Sequence, residues 1–144
     1  TEAALLLGED YQAQPDRDTV RSWLERLSLN GRRSVVLTGV SAGAEQVGAA
    51  SLDHVTGKME LALTHREQGS FPGTGDLFAA VLLGGLLREE NLGQAAADAA
   101  AFVQQCVSRT LALATPPLEG VEFEGLLGLL TGGGSLPAVT REEL

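Results

Sequence analysis

One cysteine, one methionine, one tryptophan and one tyrosine are spread over 144 residues, and four phenylalanines bring the aromatic share to only 4%. A single cysteine excludes an internal disulfide. Cys106 lies in an Ala-rich helical pattern, where a thiol reads as a small buried hydrophobe rather than a nucleophile. Basic residues are also scarce: 10 Lys and Arg stand against 19 Asp and Glu, a net charge of −9. That balance argues against nucleic acid and against anionic membrane surfaces as partners. No stretch reaches the about 18 uninterrupted apolar residues of a membrane span, and no basic start leads into an apolar signal core, so the cytoplasm is the expected compartment. The two histidines, His54 and His65, are too far apart in a strand-like pattern to be helix-spaced metal ligands and are expected as polar strand positions.

What is present is a hydrophobic content of 44%, enough for one ordinary domain with a real core. The pattern alternates between helix and strand, which gives an α/β class. Residues 1–7 read as the end of a helix closed by Gly8. Asp16 or Asp18 can cap a second helix with the apolar stripe Val20, Trp23, Leu24 and Leu27, ended by Asn30-Gly31. Ser34 to Thr38 is a short β-branched apolar run, consistent with a parallel strand covered on both faces. After a loop from Gly39 to Gly43, Gln46 to His54 and Lys58 to His65 read as a hairpin turned at Val55-Thr56-Gly57. Thr74 to Arg88 and Leu92 to Ala114 are the expected long helices, broken at Asn91 or Gly93, the second stopped by Pro116-Pro117. A last amphipathic helix, Phe123 to Leu130, precedes Gly132-Gly133-Gly134. The expected organisation is one unit over residues 1–131 and a flexible C-terminal tail over 132–144, with no internal repeat.

The stretch richest in chemistry is Phe71-Pro72-Gly73-Thr74-Gly75-Asp76, which runs straight into the apolar segment Leu77-Phe78-Ala79-Ala80-Val81-Leu82-Leu83. Two glycines let backbone amides approach a ligand closely, and the helix that follows adds its positive dipole end, a ready phosphate site. Asp76 does not fit a plain anion nest, because it repels phosphate unless a metal ion or a hydroxyl proton stands between them. Phosphoryl transfer resolves the conflict: the glycines hold the anion and Asp76 takes the proton of an attacking hydroxyl. A type II turn followed by a good first-turn acid is the alternative reading of the same residues.

Gly73-Thr74-Gly75-Asp76 resembles the signature of the ribokinase-like kinases, and the run from Phe71 to Leu83 is similar to pyridoxal (vitamin B6) kinases in particular. Two further blocks agree. Thr1-Glu2-Ala3-Ala4-Leu5-Leu6-Leu7-Gly8 resembles the second half of an Asn-x-x-Glu motif and its helix. Ser34-Val35-Val36-Leu37-Thr38-Gly39-Val40 resembles the strand that delivers a small hydroxyl residue to the ATP phosphates. The resemblance implies the C-terminal half of a three-layer sandwich, with a central, mostly parallel sheet and helices on both faces. It also implies an enzyme roughly twice this length, with the family's Asn preceding Thr1.

By that resemblance Asp76 is the general base on the 5′-hydroxymethyl group of pyridoxal, pyridoxine or pyridoxamine. Gly73, Thr74 and Gly75 form the anion hole for the γ-phosphate of ATP, and Glu2 helps hold Mg²⁺ through water. Read from the residues alone, Glu2 is a dipole partner in a first helical turn. Thr38, at the end of its strand, is expected on the phosphates, since ligands in open α/β sheets bind beyond the carboxyl ends of strands; a backbone-satisfied β-former is the alternative. Phe71 is either a cover for the base or a core plug, and Val103 and Val107 share a helical face that meets adenine or packs in the core. The expected activity is ATP-dependent phosphorylation of a B6 vitamer, with the full-length enzyme a homodimer and the half-length chain inactive by itself. A hydroxymethylpyrimidine kinase with a similar Gly-x-Gly-Asp loop is one alternative. The other is a non-catalytic fragment that binds nucleotide or packs against a partner chain.

Overall fold

The structure, a computed structural model, describes residues 2–144. Its first helix, α1 (Glu2–Leu7), is closed by Gly8 at φ 70°, as expected, while Thr1 lies outside the described residues. Helix α2 (Arg17–Leu27) starts at Asp16, whose carboxylate accepts the Thr19 amide at 2.8 Å and so satisfies a donor the helix itself leaves unpaired. The stripe Val20, Trp23, Leu24 and Leu27 is buried. Trp23 Nε1 donates to Glu9 Oε2 at 2.7 Å, tying the segment after α1 to α2.

Four strands follow: β1 (Val35–Ala42), β2 (Gln46–Leu52), β3 (Met59–His65) and, at the end of the chain, β4 (Thr140–Glu143). They lie in the order β1-β2-β3-β4, every pair antiparallel. Three expectations are corrected here. The run read as a parallel strand is β1, which pairs antiparallel with β2, continues past Thr38 to Ala42 and forms one edge of the sheet. The first hairpin strand stops at Leu52, short of the expected His54, so His54 lies in the turn, its ring Nδ1 2.9 Å from Ser34 Oγ, and only His65 is a strand position. The segment expected as a flexible tail carries β4. Its side chains are polar, and backbone pairing to β3 is backed by Arg141, which donates to Glu60 at 2.8 Å and to Gln94 at 2.7 Å, and by the Arg17–Glu142 ion pair.

Strand alternation feeds two cores. Ala50, Leu52, Leu61 and Leu63 pack with Val20 and Leu24 of α2, whereas Ala49 belongs to the cluster built by the later helices on the other face. Those helices are α3 (Thr74–Leu87) and α4 (Leu92–Leu113), the latter capped by Asn91, which accepts the Gln94 amide at 2.9 Å. They approach closely because Gly85 opposes Ala95: a Cβ at Gly85 would lie 2.9 Å from the Ala95 methyl. Alanines 95–97 and 99–101 of α4 are all buried. Cys106 is fully buried in that cluster, its thiol pushed up to about 12 by burial against a small opposing pull from Arg109. The helix expected over Phe123–Leu130 is a 3₁₀ segment, Glu124–Thr131.

Candidate functional site

The loop before α3 is held by its own residues. Phe71 is buried, 8% exposed, and its carbonyl accepts the Thr74 hydroxyl at 3.1 Å. Gly73 occupies the N-cap position at φ 86°, a left-handed conformation that suits glycine, and offers no side-chain cap. The first backbone bond of the helix runs from the Leu77 amide to the Gly73 carbonyl at 3.0 Å. The amides of Thr74, Gly75 and Asp76 therefore have no partner within the helix and sit at its positive end. Because the Thr74 hydroxyl donates to Phe71, the donors left for an anion are these amides.

This helix start opens on a cleft of about 350 Å³, a size suited to a small molecule. One wall is the sheet. Thr38 and Gly39 of β1 sit at a bulge where the register slips between Thr38 and Val40, which leaves Thr38 exposed toward the cleft. Gly48 of β2 lies in the same wall, where a Cβ would meet the Ala62 carbonyl oxygen at 1.8 Å. The opposite wall is α4, presenting Ala100, Val103, Gln104 and Val107 at helical spacing. The segment His65–Gly69 and Phe71 close a third side. Within it Arg66 is bound to the Ser41 hydroxyl. Glu67 Oε1 accepts Gln104 Nε2 at 3.0 Å and also the Ser108 hydroxyl.

Among the residues singled out by sequence, the cleft brings together Thr38, Phe71, Thr74, Gly75, Val103 and Val107. Gly73, Asp76 and Glu2 are not in its lining; Gly73, at the N-cap, and Asp76, in the first turn of α3, flank it, both exposed, and Glu2 is exposed on α1. Phe71 is a buried plug that also lines the cleft. Sequence reasoning passed over Arg66, Glu67 and Gln104, polar residues after a strand end and on a helix whose only signal was nearness to the glycine loop, and it read His65 only as a polar strand position. Among the described residues no three His, Cys, Asp or Glu side chains gather into a metal cage. Mg²⁺ does not need one, since it takes one or two carboxylates, several waters and substrate phosphates. The exposed carboxylates Glu2 and Asp76 fit that demand in donor chemistry.

Helices on both faces of the sheet and a glycine loop opening α3 beside the cleft make this a ribokinase-like α/β fold. Over its full length the chain superposes on a Bacteroides thetaiotaomicron protein assigned as a phosphomethylpyrimidine kinase, with a TM-score of 0.88, 24% identity and 49% of that chain covered. The family model described as phosphomethylpyrimidine kinase matches residues 1–117, and the chain belongs to that family. Pyridoxal kinase from Lactobacillus plantarum is 34% identical with a TM-score of 0.79, over 92% of this chain and 47% of that one. Pyridoxal kinase from Leishmania donovani, solved with ADP and pyridoxamine, is 18% identical with a TM-score of 0.77, over 98% and 49%. The chain thus spans about half the length of the solved structures it matches. No curated protein sequence matches it.

Proposed function

We propose that this chain is the nucleotide-handling half of an ATP-dependent kinase, about twice its length, that phosphorylates the 5′-hydroxymethyl group of a B6 vitamer. The observation that carries the reading is the start of α3: amides of Thr74 and Gly75 without a partner in the helix, at a cleft that also holds Thr38, Val103 and Val107. Amides aimed at the γ-phosphate stabilise charge that grows in the transition state, and Val103, Val107 and Phe71 offer apolar surface to the base. In a chain of net charge −9 such local donors, with Arg66 in the cleft wall, have to offset the phosphates. Asp76, one residue beyond the cleft lining and exposed, meets the acceptor alcohol in this reading. Its carboxylate takes the hydroxyl proton as the oxygen bonds to the γ-phosphorus, and the bond to the β–γ bridging oxygen breaks to release ADP. Glu2 would hold Mg²⁺ through water, and the ion would supply positive charge against the phosphates.

The acceptor pocket belongs to the part of the enzyme beyond this chain, and the whole enzyme is read as a homodimer. A hydroxymethylpyrimidine acceptor is the second reading, favoured by the family's own description, and presents the same primary alcohol. The test is thermal melting with Mg²⁺ and ATP. Ligand at about 100 times its Kd stabilises a fold by about 2.7 kcal/mol, so the melting temperature is expected to rise by several degrees. An unchanged melting temperature at millimolar nucleotide removes the nucleotide site.

A further inference from the structure

Glu67 is an odd residue to find in the wall of a cleft read as a polyanion site. A carboxylate accepts hydrogen bonds and donates none, so in such a cleft it repels phosphate and needs a donor to face. One oxygen is already committed: Oε1 takes Gln104 Nε2 at 3.0 Å and the Ser108 hydroxyl, and Gln104 Nε2 lies 3.0 Å from Ser108 Oγ as well. Two side chains one turn apart on α4 thus hold the carboxylate in a fixed orientation. The other oxygen, Oε2, has no hydrogen-bond partner among the described residues and is not sealed in the interior. Glu67 lines the same cleft as Val103 and Val107, the apolar surface offered to the base.

We infer that Glu67 selects the nucleotide by its base, Oε2 accepting a hydrogen bond from the exocyclic amine of adenine while Gln104 and Ser108 hold the carboxylate in position. The inference rests on the nucleotide reading of the cleft. A 6-oxo purine would set a carbonyl oxygen against the carboxylate, and a purine with hydrogen at that position would leave the oxygen without its donor.

The experiment is calorimetric titration of residues 1–144, with Mg²⁺, by ATP and by purine riboside 5′-triphosphate, which lacks only the amine. A hydrogen bond to a charged group is worth about tenfold or more in affinity, so the unaltered chain is expected to bind ATP at least about tenfold more tightly than the analogue. Glu67→Ala should bring the two affinities together, and Ser108→Ala should narrow the gap. A merely structural tie between the loop and α4 would weaken both ligands equally and leave their ratio alone. Equal binding of both triphosphates by the unaltered chain overturns the inference and leaves the cleft a nucleotide site, and that comparison stands even if a variant fails to fold. A ratio that survives in folded Glu67→Ala overturns it too. Binding of neither triphosphate overturns the nucleotide reading and this inference with it.

Discussion

At the scale of single residues, the two acids near the glycine loop differ in position. Glu67 is inside the cleft and braced by α4, whereas Asp76 stands at the exposed first turn of α3. Negative charge there is favoured by the helix dipole. Asp76→Asn preserves shape and hydrogen-bonding reach but not basicity. In the complete enzyme kcat is expected to fall by about 10² or more, with the ATP-induced melting shift of residues 1–144 little changed. Steady-state turnover alongside melting checks both halves of that statement. Near-native turnover removes Asp76 from proton transfer, and a lost melting shift assigns it to the metal instead.

At the scale of elements, β4 shows what holds a strand with no apolar side chain of its own. Glu60 in β3 links Lys58, Arg141 and, through Arg141, Gln94 of α4. Its carboxylate fits over the first turn of α4 because residue 93 is glycine: a Cβ there would sit 1.9 Å from Glu60 Oε2. Burial pushes the Glu60 pKa up, but the hydrogen bonds from Lys58 and Arg141 outweigh it and hold the group below its ordinary 4.5. A depressed folded value means that the stabilisation is present above 4.5 and is lost as pH falls through the lower folded value. Melting curves of the unaltered chain and Glu60→Gln, taken from about pH 6 to about pH 3, should therefore differ by on the order of 1 kcal/mol at the upper end and converge at the lower. A gap that is independent of pH would show that the carboxylate charge is not what holds β4.

The same element explains where the sequence was readable. The cap at Asp16, the break at Asn91, the stripe of α2 and the boundaries of α3 and α4 are local properties, written in neighbouring residues, and the structure agrees with them. Thr140-Arg141-Glu142-Glu143 has no apolar alternation to mark it as a strand; its partners are the β3 backbone and charges more than 40 residues away. The direction of pairing of β1 is likewise invisible in its own apolar run, which suits a parallel or an antiparallel neighbour. In the site, the glycine loop and the Val103–Val107 face were legible from spacing. Arg66, Glu67 and Gln104 were not, because a polar side chain at a strand end or on a helix carries the pattern of a solvated face until the fold turns it inward.

At the scale of the molecule, two apolar features are uncovered. Helix α3 has one charged residue, Asp76, in its 14, and Leu83, Leu86 and Leu87 are exposed, Leu87 by 76%. A helix apolar all round is ordinarily enclosed on every side. The eight-residue β1 is also an edge strand of the sheet, with a row of backbone groups open to pairing. Residues 1–144 are therefore expected to elute in sizing experiments ahead of a 15.0 kDa monomer and, on the proposed reading that the acceptor pocket lies in the part of the enzyme beyond this chain, to consume no ATP in response to pyridoxal. A clean monomer would mean that neither feature drives association, and measurable turnover would place an acceptor pocket within this chain.

The two separate cores give the molecule an optical asymmetry. Its only tryptophan, Trp23, is buried on the α2 side of the sheet with its indole nitrogen bonded to Glu9, while the cleft opens toward α4 on the other side. Intrinsic fluorescence thus watches the seam between α2 and the segment after α1, where a lifting of that segment exposes the indole to water and reddens its emission. Occupancy of the cleft makes no contact with that fluorophore, so folding and ligand binding can be followed in the same sample on independent signals.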